Sequence, residues 1–328
     1  MEIDFGKAIK FSLLGWYKQK GILKLSAILF LIYTIFMVLV NYSTYALISK
    51  AAIMGDYAQL MANGILFAGL IMVLVIVFVI LITIINYLII SKALNAKGKS
   101  AVKINFARIL KFILLVIAEL FAALFSIFKP KLLLIPLVAF VSIIIGIGLM
   151  ILSSGNNALL IILGMLLFVI AIILGIVYFV VFVYNCYRLF FTQAIFIEKE
   201  KGIMESLKQS WEMTRGKVLN IFLLMFIIGI IVAIVSMVAS APVTIYQIIA
   251  SFSKVLTGTI VTFDPIELIL SLPIYLVAVI SIIVQAFALV EAYSQLSEKT
   301  NVKVGVTSSS LTIKRAKKSI PNPKKKKR

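Results

Sequence analysis

Long apolar runs alternate along the chain with shorter segments that carry most of the charged residues. Six runs cover approximately residues 25–48, 65–90, 132–152, 158–184, 218–240 and 268–290. An α-helix rises by about 1.5 Å per residue, so about 20 residues cross the hydrocarbon core of a bilayer. The pattern therefore predicts an all-α polytopic membrane protein with six transmembrane helices, contained in a membrane domain of residues 1–295.

The positions of the basic residues predict how these spans are oriented. If the six runs span and the N-terminus is cytoplasmic, Lys50 and Lys254 are the only ones of the 32 lysine and arginine residues that face outward. A seventh span in the apolar segment 106–128 would invert every later segment and place most of the cations outside. Because cytoplasmic loops carry an excess of lysine and arginine, we predict six spans in the cell membrane, with both termini cytoplasmic.

Segment 106–128 has a narrow polar stripe on an otherwise apolar helix. The stripe consists of Arg108, Lys111, Glu119, Ala122 and Ser126, which fall on one side at helical spacing. A helix of this kind suits the plane of the cytoplasmic interface, and Lys129-Pro130-Lys131 ends it before the next span. A re-entrant helix buried in the membrane is the alternative.

The two tryptophans of the chain lie in similar sequences. Trp16-Tyr-Lys-Gln-Lys-Gly21 precedes the first span and Trp211-Glu-Met-Thr-Arg-Gly216 precedes the fifth, each after an amphipathic segment. Tryptophan is typical of the headgroup level, so we expect Trp16 and Trp211 to act as interfacial anchors, and glycine permits a bend into the membrane. The pattern predicts three hairpins, each preceded by a cytoplasmic interfacial helix, at about 4–18, 106–128 and 198–215; common ancestry and coincidence both remain open.

Local signals mark helix ends and helix contacts. Asp264-Pro265-Ile266-Glu267 has the features of a helix start, with an N-cap aspartate and proline at the first helical position. The outer connection before it is expected to begin at residue 241, next to Pro242. The spacings Ser142-x3-Gly146 and Gly229-x3-Ala233 predict close packing between helices, within the chain or between copies.

The composition excludes several classes of site. Hydrophobic residues make up 63% of the chain and charged residues 13%, whereas soluble domains average about 45–50% and about 25%. Histidine is absent and Cys186 is the single cysteine. Disulfides, cysteine/histidine metal sites and histidine-based catalytic triads are therefore impossible within one chain, and we predict no catalytic residues, no metal site and no cofactor.

The C-terminal segment differs sharply from the membrane domain. Residues 301–328 are rich in serine, threonine, lysine and proline, which predicts a disordered cytoplasmic tail. A polybasic segment beside a membrane binds anionic headgroups, so we expect it to contact lipid. A nucleic-acid or ribosomal phosphate backbone could attract the same charges, but no aromatic residue interleaves them for base stacking. The lipid-contacting residues would be Lys314, Arg315, Lys317, Lys318, Lys324, Lys325, Lys326, Lys327 and Arg328.

A second set of candidate site residues lies toward the cytoplasmic ends of the second, fourth and sixth spans. Ionisable groups at membrane depth are functional hypotheses by default, although snorkelling or a structural ion pair would also explain groups this close to the interface. Within the set, Arg188 and Glu291 could pair. The possible polar cluster consists of Asn86, Asn185, Arg188, Gln193, Gln285 and Glu291.

One stretch resembles a known family. Glu198-Lys-Glu-Lys-Gly202-Ile-Met-Glu-Ser206-Leu207-Lys-Gln-Ser210-Trp-Glu-Met-Thr214-Arg-Gly216 is similar to a signature of uncharacterised prokaryotic six-span membrane proteins, whose relatives include the membrane domain of some glycerophosphodiester phosphodiesterases. The Gly15-Trp16 pair before the first span is also similar. The resemblance implies an integral membrane protein of unassigned function, and phosphodiesterase activity is not carried over because the sequence has no soluble phosphodiesterase domain.

These observations lead to three hypotheses for function. The first is a non-enzymatic protein that organises, or is a partner of, membrane or lipid-metabolism machinery, with membrane lipids and an unidentified protein as partners. The second is a transporter or lipid-handling permease that uses the polar cluster, although the span centres carry almost no charge. A membrane-embedded enzyme ranks last, because no catalytic constellation stands out.

Overall fold

The computed structural model describes residues 3–54, 57–99, 101, 105–153, 157–199, 201–257 and 264–318, with residues 299–318 described by their backbone alone. Within these ranges the chain is helical and contains no β-strand. The helices are α1 Phe5–Leu14, α2 Lys20–Met54, α3 Tyr57–Ala96, α4 Phe106–Leu124, α5 Leu134–Leu152, α6 Ala158–Arg188, α7 Thr192–Glu198, α8 Ile203–Met213, α9 Val218–Thr257 and α10 Pro265–Lys318.

Six of these helices are long and apolar enough to cross a membrane, which confirms the predicted number of spans. The candidate spans are Gly21–Ser43, Ala68–Ala96, Pro130–Leu152, Ala158–Glu198, Val218–Phe252 and Pro265–Glu298. Helix α4 is not among them, as expected from its three charged residues. Helices α1, α4 and α8 lie within the three ranges predicted for amphipathic helices, and their depth in a bilayer stays a prediction.

Several helices extend beyond the predicted spans. The connection expected to begin at residue 241 is helical up to Thr257, because α9 continues through Pro242. A proline removes one backbone hydrogen bond, and serine and threonine hydroxyls nearby help to satisfy the released carbonyl groups in membrane helices. The carbonyl released by Pro242 is that of Val238, and the hydroxyls of Ser240 and Thr244 donate to the neighbouring carbonyls of Met237 at 2.9 Å and Ser240 at 3.0 Å. Apolar run length therefore underestimates helix length in this chain.

The start of α10 agrees with its sequence signal. The helix begins at Pro265, and the Ile266 N–H donates to the Asp264 carboxylate at 2.9 Å. At its other end the backbone of α10 continues through residues 301–318, part of the segment for which a disordered tail was predicted. Residues 319–328 lie outside the described part of the chain, and the disorder of the tail stays a prediction.

The long helices form two groups. Helices α2, α3, α9 and α10 pack on one another, whereas α5 packs mainly along α6. Helix α6 reaches the rest of the molecule through α4 and α9, and the short helices α4, α7 and α8 connect the two groups. Over most of their length the two groups are thus separate.

A close glycine contact holds α5 and α6 together. A Cβ atom placed on Gly146 would lie 3.0 Å from the Gly164 carbonyl oxygen, and one on Gly164 would lie 2.8 Å from the Gly146 carbonyl oxygen. This confirms the close packing predicted from Ser142-x3-Gly146. Gly229 differs, because no atom would lie within 4 Å of a Cβ placed there. Its spacing therefore does not mark a contact within the described chain.

Most fully buried side chains lie at one end of the helix bundle. They belong to residues 85–94 of α3, 189–197 at and around α7, and 279–297 of α10. The opposite halves of the long helices expose large apolar side chains, as expected for surfaces that face lipid. We call the buried end, where residues 91–101, 189–199 and 291–298 meet, the polar end, because ion pairs and polar side chains accompany its core.

The two tryptophan–glycine motifs adopt different local structures. Gly216 follows α8 with φ of +72°, a left-handed conformation that favours glycine. Gly21 instead lies in the first turn of α2, beside the Lys92 side chain of α3. Gly216 therefore lies at a turn between α8 and α9, and its direction into the membrane stays a prediction. Gly21 does not lie at a bend, and the absence of a side chain there leaves room for a neighbouring helix.

Candidate functional site

The first part of the polar end is an ion pair between Lys97 and Glu291. Lys97 follows the last turn of α3, and Glu291 lies on α10 with 1% of its side chain exposed. Gln295, one turn along α10, donates to the Glu291 carboxylate at 3.0 Å and accepts a hydrogen bond from the Asp4 N–H at 2.8 Å. The Lys97 ammonium also lies 4.2 Å from the centre of the Phe11 ring of α1. The pair therefore connects α3, α10 and the N-terminal helix.

A second ion pair lies beside the first. The Lys99 ammonium is 3.4 Å from a carboxylate oxygen of Glu198 at the end of α7, and the Tyr293 hydroxyl donates to the other oxygen. Lys99 also donates to the Ser297 hydroxyl and lies 4.6 Å from the centre of the Tyr293 ring. The carboxylates of Glu198 and Glu291 thus each have a lysine partner, and of the two Glu291 is the buried one, since 19% of the Glu198 side chain is exposed.

Arg108 joins α4 to the end of α7. Its guanidinium donates to the carbonyl oxygens of Phe196 at 2.7 Å and Lys199 at 3.2 Å, and lies 5.2 Å from the centre of the Phe196 ring. The Nε atom of the same side chain is buried without a hydrogen-bond partner in the described residues. Arg108 therefore has donor capacity that the protein itself does not use.

A chain of three polar side chains crosses from α3 to α4. The Asn86 amide donates to the Gln193 side-chain oxygen at 3.1 Å, and the Gln193 amide donates to Glu119 at 3.2 Å. Burial raises the pKa of Glu119 from 4.5 to about 8, because the charged form loses its hydration, and the hydrogen bond from Gln193 opposes this effect in part. Glu119 is therefore largely protonated at neutral pH and can exchange a proton in the physiological range.

The remaining polar groups fasten the end of α6. The Asn185 amide donates to the Ala123 carbonyl at 3.0 Å and to the Ser126 hydroxyl at 2.8 Å. The Arg188 side chain donates to the Trp211 carbonyl and lies 4.2 Å from the centre of the Trp211 ring. Cation–π contacts and buried amide hydrogen bonds of this kind stabilise packing between helices. These groups thus join α6 to α4 and α8.

The six side chains predicted as one polar cluster separate into four groups. Asn86 and Gln193 meet each other, whereas Gln285 bonds only Ser281 of its own helix in the described contacts. Asn185 and Arg188 contact α4 and α8, and Glu291 contacts Lys97. The predicted pair between Arg188 and Glu291 is wrong: each side chain has another partner, because α10 packs against α3 and α7 more than against α6.

Sequence reasoning missed several residues that complete the polar end: Lys97, Lys99, Glu119, Glu198, Tyr293 and Ser297. The lysines were counted only as topology signals in a loop. A signal was present, because Glu198 and Glu291 are acidic residues directly beside apolar spans and need counter-charges. Which lysines supply these charges depends on helix packing.

The structure describes the predicted interfacial anchors, Trp16 and Trp211, with their side chains, and only part of the predicted lipid-contacting tail. The Trp211 ring stacks on Phe128 with 4.8 Å between ring centres and has Arg188 beside it, so its described contacts are within the protein. Trp16 is half-buried and packs against the core. Lys314, Arg315, Lys317 and Lys318 belong to the backbone of α10, and Lys324–Arg328 lie outside the described residues. The lipid contacts of these residues stay predictions.

Three open grooves in the described part of the chain are lined by cationic side chains. One, of about 680 Å³, lies along α8 and includes Lys201, Lys208 and Arg215. The other two lie at the polar end. The larger, of about 1040 Å³, lies between α4 and the start of α8 and includes Arg108, Lys111 and Lys201. The smaller, of about 360 Å³, lies along α1 and includes Lys7, Lys10, Lys18 and Lys97. No group of three or more possible metal ligands occurs in the part of the chain that the structure describes. Anions rather than metal ions are the ligands that these grooves suit.

No protein-family model matches the chain, and no curated protein or solved structure is significantly similar to it.

Proposed function

We propose that the protein is a non-enzymatic integral membrane protein that binds anionic lipid at its cytoplasmic face and organises lipid-metabolism machinery there. The observation that carries the proposal is the pair of cationic grooves at the polar end. A membrane protein with several cations beside an apolar surface attracts anionic headgroups at about 1 kcal/mol per charge near the surface. The basic tail would add to this attraction.

In this proposal the polar end faces the cytoplasm of the cell membrane. The hydrogen bond between Asp4 and Gln295 joins the two ends of the membrane domain and supports their lying on one side of the membrane. The positive-inside bias supports the cytoplasm as that side. Helices α1, α4 and α8 would then lie at the cytoplasmic interface, each before one hairpin of spans. The resemblance of residues 198–216 to the membrane domain of some glycerophosphodiester phosphodiesterases suggests a partner that acts on lipid phosphodiesters.

The interior of the polar end supports a binding role over an enzymatic one. Lysine side chains pair with Glu198 and Glu291. The end of α6 is bonded to its neighbours through Asn185 and Arg188. These contacts make a rigid base on which surface groups keep a fixed arrangement. Rigid placement of cations lowers the entropy cost of binding a headgroup.

A lipid-handling permease is the second candidate, and one arrangement favours it. The α5–α6 pair packs apart from the α2, α3, α9 and α10 group over most of its length. The Asn86–Gln193–Glu119 chain lies among the short helices that join the two groups. A lipid could move between the groups with its headgroup on these polar side chains, and protonation of Glu119 would change the charge that the headgroup meets.

Energy transfer from tryptophan to lipid tests the first candidate. Trp16 and Trp211 are the two tryptophans of the chain, so both donors lie at the polar end. In vesicles that contain the protein, we expect more transfer to pyrene-labelled phosphatidylglycerol than to pyrene-labelled phosphatidylcholine at equal mole fraction. The difference should shrink at high salt, because exposed charges are screened. Equal transfer to the two lipids would contradict the proposal.

Vesicles with a nitrobenzoxadiazole-labelled headgroup in place of pyrene decide between the two candidates. Dithionite reduces this label in the outer leaflet and leaves the inner leaflet intact when lipids do not cross. An organising protein should leave the protected fraction equal to that of protein-free vesicles. If the fluorescence protected in the inner leaflet decays faster with the wild-type protein than without protein, lipids cross the membrane. If the Glu119→Gln variant does not cause this decay, the permease is established instead.

A further inference from the structure

We infer that the groove between α4 and α8 binds the phosphate of an anionic glycerophospholipid headgroup. The inference rests on the proposed function and names the site within it. The groove is lined on one side by Ala107, Arg108 and Lys111 of α4, and on the other by Lys201 and the first residues of α8.

The charge in the groove favours an anion. Arg108, Lys111 and Lys201 face a single acidic lining residue, Glu205, which pairs with Lys201 at 2.6 Å. Lys111 is exposed, and no ion pair or hydrogen bond of its side chain occurs among the described residues. The groove thus has an excess of positive charge beside an ammonium group that is available to a ligand.

The start of α8 and Arg108 line the same groove. Helix α8 begins after Gly202, which has no side chain to cap the first N–H groups, and residues 202–205 line the groove. The first N–H groups of a helix have no acceptor within it and favour a negative charge. On the other side lie the exposed Lys111 ammonium and the Arg108 guanidinium, which the Phe196 and Lys199 carbonyls hold in place. A phosphate in the groove could accept from the N–H groups of α8 and pair with these cations.

The walls of the groove point to a lipid rather than a free phosphate compound. Leu114 and Met204 line it with 49% and 59% of their side chains exposed, and Phe106 beside it is 81% exposed. Exposed apolar side chains next to a cationic pocket match the junction between a headgroup and its acyl chains. Helix α4 continues this surface with further exposed apolar residues, so the acyl chains would lie along α4.

The test is native mass spectrometry of the full-length protein in detergent micelles, titrated with dioleoylphosphatidylglycerol. Removal of one cation near the headgroup costs about 1 kcal/mol, so Lys111→Ala should weaken binding about fivefold. Lys111→Arg keeps the charge and should bind as the wild type does. Lys208→Ala is the control, because Lys208 is an exposed lysine of the neighbouring helix α8 and does not line this groove. It should change the affinity by less than about twofold.

Arg108 provides a second variant, read together with thermal unfolding because its side chain also holds α7. Arg108→Gln removes the guanidinium charge and should bind phosphatidylglycerol more weakly than the wild type while the protein remains folded. Equal losses for Lys111→Ala and Lys208→Ala would overturn the inference, as would equal retention of phosphatidylcholine. Competition by glycerol phosphate at the same concentration as the lipid would also overturn it, because the ligand would then be a free phosphate compound.

Failure of the site and failure of the proposed function give different results. If the wild type retains phosphatidylglycerol but the Lys111 and Arg108 variants retain it equally well, lipid binding holds and this site is wrong. If the wild type shows no preference for phosphatidylglycerol in micelles and in vesicles, the proposed function fails as well.

Discussion

The Lys97–Glu291 pair allows a quantitative test of the polar end. Replacing Lys97 by methionine keeps the volume of the aliphatic stem and removes the ammonium group that faces Glu291. The carboxylate is 1% exposed, so it cannot regain hydration without disturbing α10. Removing one partner of a buried ion pair costs about 3–5 kcal/mol. We expect about 3 kcal/mol, the lower limit, because Lys97 itself is 20% exposed and Gln295 still donates to Glu291.

The reverse change should cost less. Glu291→Gln removes the buried charge and leaves Lys97 close enough to the surface for its ammonium to reach solvent, so we expect about 1–2 kcal/mol. The double variant Lys97→Met with Glu291→Gln has no uncompensated charge. It should be more stable than Lys97→Met alone, with a coupling energy of about 2 kcal/mol in the double-mutant cycle.

The measurement is the free energy of unfolding of the full-length protein in micelles, by denaturant titration followed through tryptophan fluorescence. Lys10→Met is the control, because Lys10 is exposed on α1 and surface substitutions usually change stability by less than about 0.5 kcal/mol. Additive costs of the two single changes would refute the reasoning, since the pair would then contribute no coupling. A cost for Lys97→Met no larger than that of the control would also refute it.

Three further predictions follow from the described contacts. The pKa of Glu119 is raised to about 8, so the stability that its protonated form contributes is complete below about pH 4 and is lost as the pH rises through about 8. Glu119→Gln keeps the acceptor for Gln193 and should flatten the fall in melting temperature between about pH 5 and pH 9; a parallel pH profile for both proteins would contradict this. Gly164→Ala should destabilise the protein by about 1–3 kcal/mol, because its methyl group would lie 2.8 Å from a backbone oxygen. Gly148→Ala is the control: no atom lies within 4 Å of its methyl group, so it should be neutral or stabilising. Chemical denaturation measures both. Trp211→Leu should lower the free energy of unfolding by about 1–2 kcal/mol, because the contacts with Arg188 and Phe128 are lost. Tyr17→Leu is an exposed control. An equal thermal shift for the two variants would show that the Trp211 ring does not hold α6 to α8.

The spans could be predicted from the sequence because each is a local property. A run of about 20 apolar residues specifies a membrane helix whatever its neighbours are. The same holds for the start of α10, where Asp264 and Pro265 act on the adjacent backbone. The extension of α9 beyond Pro242 was missed, since the pattern marks where apolar residues end and helical hydrogen bonding continues further.

The candidate site was only partly predictable. Asn86 and Gln193 were named together and do meet, whereas Arg188 and Glu291 were named together and do not. Polar residues near the ends of different spans lie at a similar depth in the membrane, and a sequence pattern predicts that depth. Their neighbours around the bundle depend on which helices pack, and no local pattern contains that information.

The sequence alone thus determined an all-helical chain with six apolar spans, a cationic set of loops and no histidine or cysteine chemistry. The tertiary structure decided that Lys97 and Lys99 neutralise Glu291 and Glu198, that α5 and α6 pack apart from the other long helices, and that α4 and α8 form a cationic groove. The physical reason is one of range. Hydrophobic insertion and helix capping act over a few residues of one segment. Ion pairs, grooves and the hydrogen bonds beside them arise from side chains far apart in the chain, as in the hydrogen bond from Lys99 to Ser297, 198 positions apart.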